Sequence, residues 1–145
     1  MRFADFYRGQ VITLGPVSVT EQQIVDFARE YDPQWFHTDP EAAARSRWGG
    51  LIASGWQTCG VAMRLACDHV LAGSESIGSP GVGYLKWSAP VRPNEPLTLR
   101  IEVLEVRRSE RKPELGVLRW RWHLRHADGR DALELEATSL FELGP

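Results

Sequence analysis

Hydrophobic and polar positions alternate most cleanly in VLRWRWHLRH, where Leu118, Trp120, Trp122 and Leu124 fall on one side and Arg119, Arg121, His123 and Arg125 on the other. A period of two over this length predicts a strand with one buried face. ALELEATSLF repeats the pattern after an Asp128-Gly129 turn, with Leu133, Leu135, Ala137, Ser139 and Phe141 inward and Glu134, Glu136 and Glu142 outward. In LTLRIEVLEV, Leu97, Leu99, Ile101 and Val103 share a face before the phase slips at Leu104 and Val106, which predicts a β-bulge. YLKWSA reads as a further strand, and QVITLGPVSV as the first, bent at Gly15-Pro16.

Between these strands the period lengthens. Thr20 and Gln23 form a capping-box pattern, after which Ile24, Phe27, Ala28 and Tyr31 recur at helical spacing with Glu21, Asp26, Arg29 and Glu30 toward water. Pro33 disfavours helical geometry at the residue before it, so this helix should stop near Asp32. Asp39 as N-cap and Pro40 at the first position predict a short helix over about 40–46, which leaves His37 in the connection. Gly49-Gly50 breaks the chain before an apolar helix expected from Ser54 to Leu71 and ended by Gly73. Small residues crowd its start, and it is apolar on most faces, so it should be central. The sum is an α+β architecture, an antiparallel sheet with one face wrapped on an apolar helix.

At 145 residues, with no repeat or linker, the chain fits a single domain over 1–145 that needs no staples. Its 19 acidic and 17 basic side chains give a net charge of −2, which is not the footprint of a general nucleic-acid binder. The arginines of one strand facing the glutamates of the next read as solvated cross-strand pairs rather than a basic groove. MRFADFYRGQ offers no apolar core for a signal peptide, and the longest uncharged run, residues 49–63, is too short for a membrane span. We therefore expect a cytoplasmic protein without a membrane partner. Cys59 and Cys67 lie on the predicted central helix, about 12 Å apart at 1.5 Å rise per residue, beyond the reach of a disulfide. His69, His123 and His126 show no metal-ligand spacing, so neither metal nor other cofactor is expected.

The chemistry gathers elsewhere. Asp32 at a helix exit, His37 in the following loop and Ser54-Gly55-Trp56 at the start of the central helix supply a carboxylate, an imidazole and unpaired backbone N–H groups at the positive end of a helix. Those parts suit the addition or removal of water next to a thioester carbonyl, with the N–H groups stabilising charge on oxygen. Each residue also has a plainer reading: Asp32 as a turn cap, His37 as a loop histidine, the glycine pairs as sites of close packing.

YDPQWFHTDPEAAARS followed by GGLIASGWQT resembles the signature of the MaoC-like acyl dehydratases, or (R)-specific enoyl-CoA hydratases, of the hotdog fold. The resemblance is motif-specific over 27–58, and helices and late strands follow in the family's order. It implies an acyl-CoA dehydratase/hydratase acting across the C2–C3 bond, with Asp32 and His37 as the catalytic pair and the Gly55 N–H on the acyl carbonyl oxygen. It places Trp35, Gly50, Ser54 and Trp56 around the substrate and leaves Asp39 as a helix cap. Tyr31 stands where the family has glycine, Gln34 for asparagine, Trp35 for proline and Ser54 for histidine, so Trp35 and Trp56 are expected to narrow the acyl channel. A hotdog thioesterase and a non-catalytic acyl-CoA-binding domain are the competing readings. An exposed sheet edge further implies a homodimer or higher homo-oligomer.

Overall fold

The alternating segments pair into one antiparallel sheet, described by a computed structural model over residues 1–145. Its strands are β1 (Val11–Val17), β2 (Ser76–Lys86), β3 (Leu97–Arg108), β4 (Leu115–His126) and β5 (Asp131–Glu142), in the order β1-β3-β4-β5-β2. In β4, Trp120 and Trp122 oppose Val103 and Ile101 on one side and Ala137 and Leu135 on the other. These residues form the inner face, and the bulge anticipated in β3 falls between Val103 and Glu105.

The helices are α1 (Glu21–Tyr31), α2 (Trp35–Thr38), α3 (Pro40–Ala44) and α4 (Gly55–Ala66), the last continued by a π-helical turn, Cys67–Leu71. Ala62, Leu65 and Ala66 of α4 and Val70 of the turn join Leu97, Leu99, Ile101, Leu118, Trp120 and Leu133 in one core. Small side chains on α4 admit close approach of its backbone to the sheet. The result is the hotdog arrangement, a sheet wrapped on a long helix. No helix is long and apolar enough to cross a membrane.

Three expectations change. β2 begins at Ser76, well before YLKWSA, and ends at Lys86, leaving Trp87 to Ala89 outside it. Glycine-rich SIGSPGVG is a poor strand by propensity, but pairing with β5 carries it through three register shifts, with Gly78 and Gly81 at positive φ. Tyr31 is 67% exposed and rests on Phe27, while Val25 is buried with Ile24 and Ala28. The last helical turn projects past the core, so its apolar face is not covered. His37 lies in a single helical turn, α2, rather than in an irregular connection.

Candidate active site

α1 ends where Pro33 requires it to. Asp32 is its C-cap at φ −152°, and its N–H still donates to the Ala28 carbonyl at 2.8 Å. The chain then turns through α2, which carries His37 inward until it is 5% exposed. Residues 51–54 form a buried segment that docks on α2 and on the loop before β3: the Ile52 N–H donates to the Phe36 carbonyl and the Ala53 N–H to that of Val91. This segment delivers Ser54, the N-cap of α4, to Asp32.

The dyad geometry follows from these placements. His37 Nε2 lies 3.3 Å from Asp32 Oδ2. Its other nitrogen, Nδ1, is 2.7 Å from the Ile52 carbonyl oxygen. A carbonyl only accepts, so Nδ1 carries the proton and donates, and Nε2 is left to exchange protons on the Asp32 side. Phe36 packs edge-on against the imidazole with ring centroids 4.4 Å apart and restrains its tilt.

Asp32 is held as a carboxylate. Partial burial would raise its pKa, but hydrogen bonds from Gln34 Nε2 to Oδ1 and from Ser54 Oγ to Oδ2, each 2.7 Å, together with the charge of His37, outweigh burial and hold it below its ordinary value. Ser54 is the N-cap of α4, so the same group sits beside the positive end of that helix.

Gly55 opens α4. Its N–H belongs to the first turn, where no intrahelical acceptor exists, and no protein group accepts from it. Its carbonyl accepts from Trp87 Nε1 at 3.0 Å, and a Cβ at this position would lie 2.5 Å from the Trp87 ring. The glycine is therefore demanded by the indole as well as by access to the N–H. Trp56 packs edge-on against Trp87, centroids 5.1 Å apart.

Asp32, His37, Gly55 and Trp56 line one cavity of about 350 Å³ with Trp48, Ile52, Trp87 and Val91. Ser54 is wholly buried behind it and touches Asp32 rather than the cavity. With Ser54, two more of the residues expected around the substrate lie outside the cavity. Trp35 is 49% exposed and packs edge-on against Phe36. Gly50 lies beside the Arg92 guanidinium, which also donates to the Trp48 carbonyl. Asp39 caps α3 by accepting from the Ala42 N–H.

Sequence reasoning missed Trp87, Trp48 and the donor role of Gln34. The sequence pattern puts Trp87 within the strand YLKWSA; it lies just past the end of β2, whose pairing with β5 leads the chain to the site. The histidine spacing shows no metal-ligand pattern; strand register places His123 Nδ1 3.2 Å from Asp131 and 3.5 Å from Glu134 on the outer face. Asp131 is already bound by Arg125, and Glu134 neighbours Tyr84, so an ion-pair network accounts for the cluster.

The family model for the MaoC like domain matches residues 7–118. The uncharacterized protein YdeM of Bacillus subtilis is 33% identical over 118 residues, covering 81% of this chain and 82% of that protein. The 3-hydroxyacyl-thioester dehydratase Z of Mycobacterium tuberculosis is 32% identical over 77 residues, about half of each chain (52% and 51%). Among solved structures, the MaoC-like dehydratase from Rhodospirillum rubrum superposes with a TM-score of 0.87 at 31% identity, covering 98% of this chain and 97% of that one. The (R)-hydratase from A. caviae involved in PHA biosynthesis gives 0.72 at 22% identity over 92% and 96%, a likeness of fold.

Proposed function

The chain belongs to the MaoC-like domain family, and from that membership and the Asp32–His37 pair we propose that it is a hydro-lyase, adding water to 2-enoyl thioesters or removing it from 3-hydroxyacyl thioesters. The observation that carries the reading is the 3.3 Å approach of Asp32 and His37 at the mouth of α4, inside one cavity with Gly55. An acid–base pair beside an unpartnered helix N–H is the equipment this reaction requires.

In the hydration direction, Asp32 and His37 hold one water. As its oxygen bonds to C3, the pair takes one of its protons, the C2–C3 π electrons move toward the thioester carbonyl, and the Gly55 N–H stabilises the enolate oxygen. A proton from the pair then closes C2, so the elements of one water are added and no redox change occurs. Acyl-CoA is the proposed carrier form. Trp48, Trp56 and Trp87 line the cavity, and in this reading they, rather than Trp35, narrow the path of the acyl group.

A second copy of the chain is the proposed partner. β2 is an edge strand that carries exposed Ile77 and Val82, and Trp56 and Trp87 of the cavity lining are exposed as well. Sedimentation analysis reads this directly: a dimer or larger assembly is expected, and a monomer at micromolar concentration contradicts it.

The test of function follows the conjugated enoyl-thioester absorbance with a panel of trans-2-enoyl-CoAs. Loss of that absorbance without release of free CoA thiol is the expected outcome. Thiol release would instead mark a thioesterase, and acyl-CoA binding without turnover a binding domain.

A further inference from the structure

Asp32 is gripped from two directions, and only one grip comes from the helix that carries the proposed oxyanion donor. Gln34 reaches Oδ1 from the exposed turn after α1. Ser54 reaches Oδ2, the oxygen that faces His37, from a position with no solvent exposure. The same hydroxyl oxygen accepts the Trp56 N–H at 3.3 Å. We propose that Ser54 is a positioning residue: the chain from Trp56 N–H through the Ser54 hydroxyl to Asp32 Oδ2 ties the carboxylate to the start of α4, so that the dyad and the Gly55 N–H keep one geometry. The proposal rests on the hydration reading, and it gives Ser54 no contact with reacting atoms.

The geometry leaves the hydroxyl little choice. Its single proton goes to Asp32, and a lone pair takes the helix N–H. Donors and acceptors in such a chain polarise one another, so a hydroxyl that accepts from a helix start donates more strongly onward. A shift of α4 relative to α1 therefore changes this chain directly. Trp87 adds a second restraint at the same turn through its bond to the Gly55 carbonyl.

The environment of Asp32 also makes the role readable. His37, on α2, is the one titratable group whose charge acts on it. The other contacts are neutral, Gln34 from the turn after α1 and Ser54 from α4. Removing the Ser54 hydroxyl should therefore appear in the ionisation of Asp32 itself, whether or not a substrate is present.

The experiment is a carboxyl ¹³C titration of Asp32 in the wild-type protein and in Ser54→Ala, Ser54→Gly and Ser54→Thr, with hydration kinetics on the same samples. Glycine retains most of the N-cap preference that alanine loses, so the two separate capping from the grip on Asp32. The expected result is a higher Asp32 pKa in both Ala and Gly variants and a return toward wild type in Thr. In step with it, kcat falls about tenfold or more with KM within about twofold, and the acid limb of the kcat profile moves upward. An unchanged Asp32 titration in Ser54→Ala and Ser54→Gly overturns the proposal, as does a loss confined to KM, which would return Ser54 to substrate binding. Should the wild type hydrate no thioester while the titration still moves, the hydration reading fails and the grip on Asp32 is upheld, so the two failures are told apart.

Discussion

The two faces of this molecule use carboxylates and cations in opposite ways. On the outer face of the sheet, Arg119 reaches Glu136 at 2.6 Å and Glu105 at 3.4 Å, and Arg121 reaches Glu136 and Glu102 at 3.6 and 3.9 Å. Each of these five side chains has at least two charged partners and stays partly exposed. At the start of α4 a single carboxylate meets a single imidazole, and the neighbouring donors, Ser54 and Gln34, are neutral and aimed. Redundant pairs tolerate loss; an unduplicated, partly buried pair does not. Solubility and strand register can be served by the first arrangement, whereas proton transfer needs the second, because only there is a change in charge state felt by one defined partner.

The sharpest break of this comparison is the removal of the dyad. Asp32→Asn and His37→Ala are each expected to lower the hydration rate on the order of a hundredfold or more, as loss of a positioned acid–base group does. Arg121→Ala, on the other face, should leave the rate unchanged under the same assay. An equal loss in all three would show that the assay reports folding rather than chemistry.

Next in size is the contact between α4 and Trp87. Gly55→Ala drives a methyl to within 2.5 Å of the indole, and overpacking of this kind costs about 1–3 kcal/mol. Urea denaturation should show that loss. Trp87→Ala in the same chain removes the clash, so the double variant is expected to be less destabilised than the two single changes summed. Strict additivity would mean that the indole does not set the requirement for glycine.

The third effect is one of pH. Asp32 is held below its ordinary value of 3.8, so the folded state binds its proton less readily than the unfolded chain. The stability this contributes is therefore present above that value and lost as pH falls through the lower, folded one. Stability curves of wild type and Asp32→Asn should converge on acidification below about pH 4. Curves that stay parallel there would indicate that the donors do not hold the carboxylate in solution.

How much of this could be read from sequence follows the same division. Wherever a residue's surroundings are local, the pattern was sufficient: alternation set the buried faces of β4 and β5, the phase slip located the bulge of β3, and Thr20 and Asp39 cap the helices they begin. Asp32, His37, Gly55 and Trp56 share a cavity as their spacing and the family resemblance implied. Residues brought in by register were invisible. Trp87 depends on a glycine-rich strand that has no strand propensity of its own, and the His123 cluster depends on β4 facing β5 at one offset. Trp35, Gly50 and Ser54, which the resemblance places around the substrate, fall outside the cavity: Trp35 is exposed on α2, Gly50 lies beside Arg92, and Ser54 is buried against Asp32.

The smallest expected effect belongs to the outer face and tests its half of the comparison. Arg119 is 42% exposed at its side chain and shared between two glutamates. Exposed pairs contribute about 0.2–1 kcal/mol, screened by salt, and the aliphatic stem of the arginine still covers the sheet. Arg119→Lys keeps the charge and stem but loses the fork that reaches Glu105 and Glu136 together. It should therefore destabilise the protein by well under about 1 kcal/mol at low salt, a difference that vanishes at about 1 M salt, where the screening length falls to roughly 3 Å. A larger and salt-independent loss would mean that Arg119 behaves like the partly buried pair at Asp32, and the contrast between the two faces would fail at its outer end.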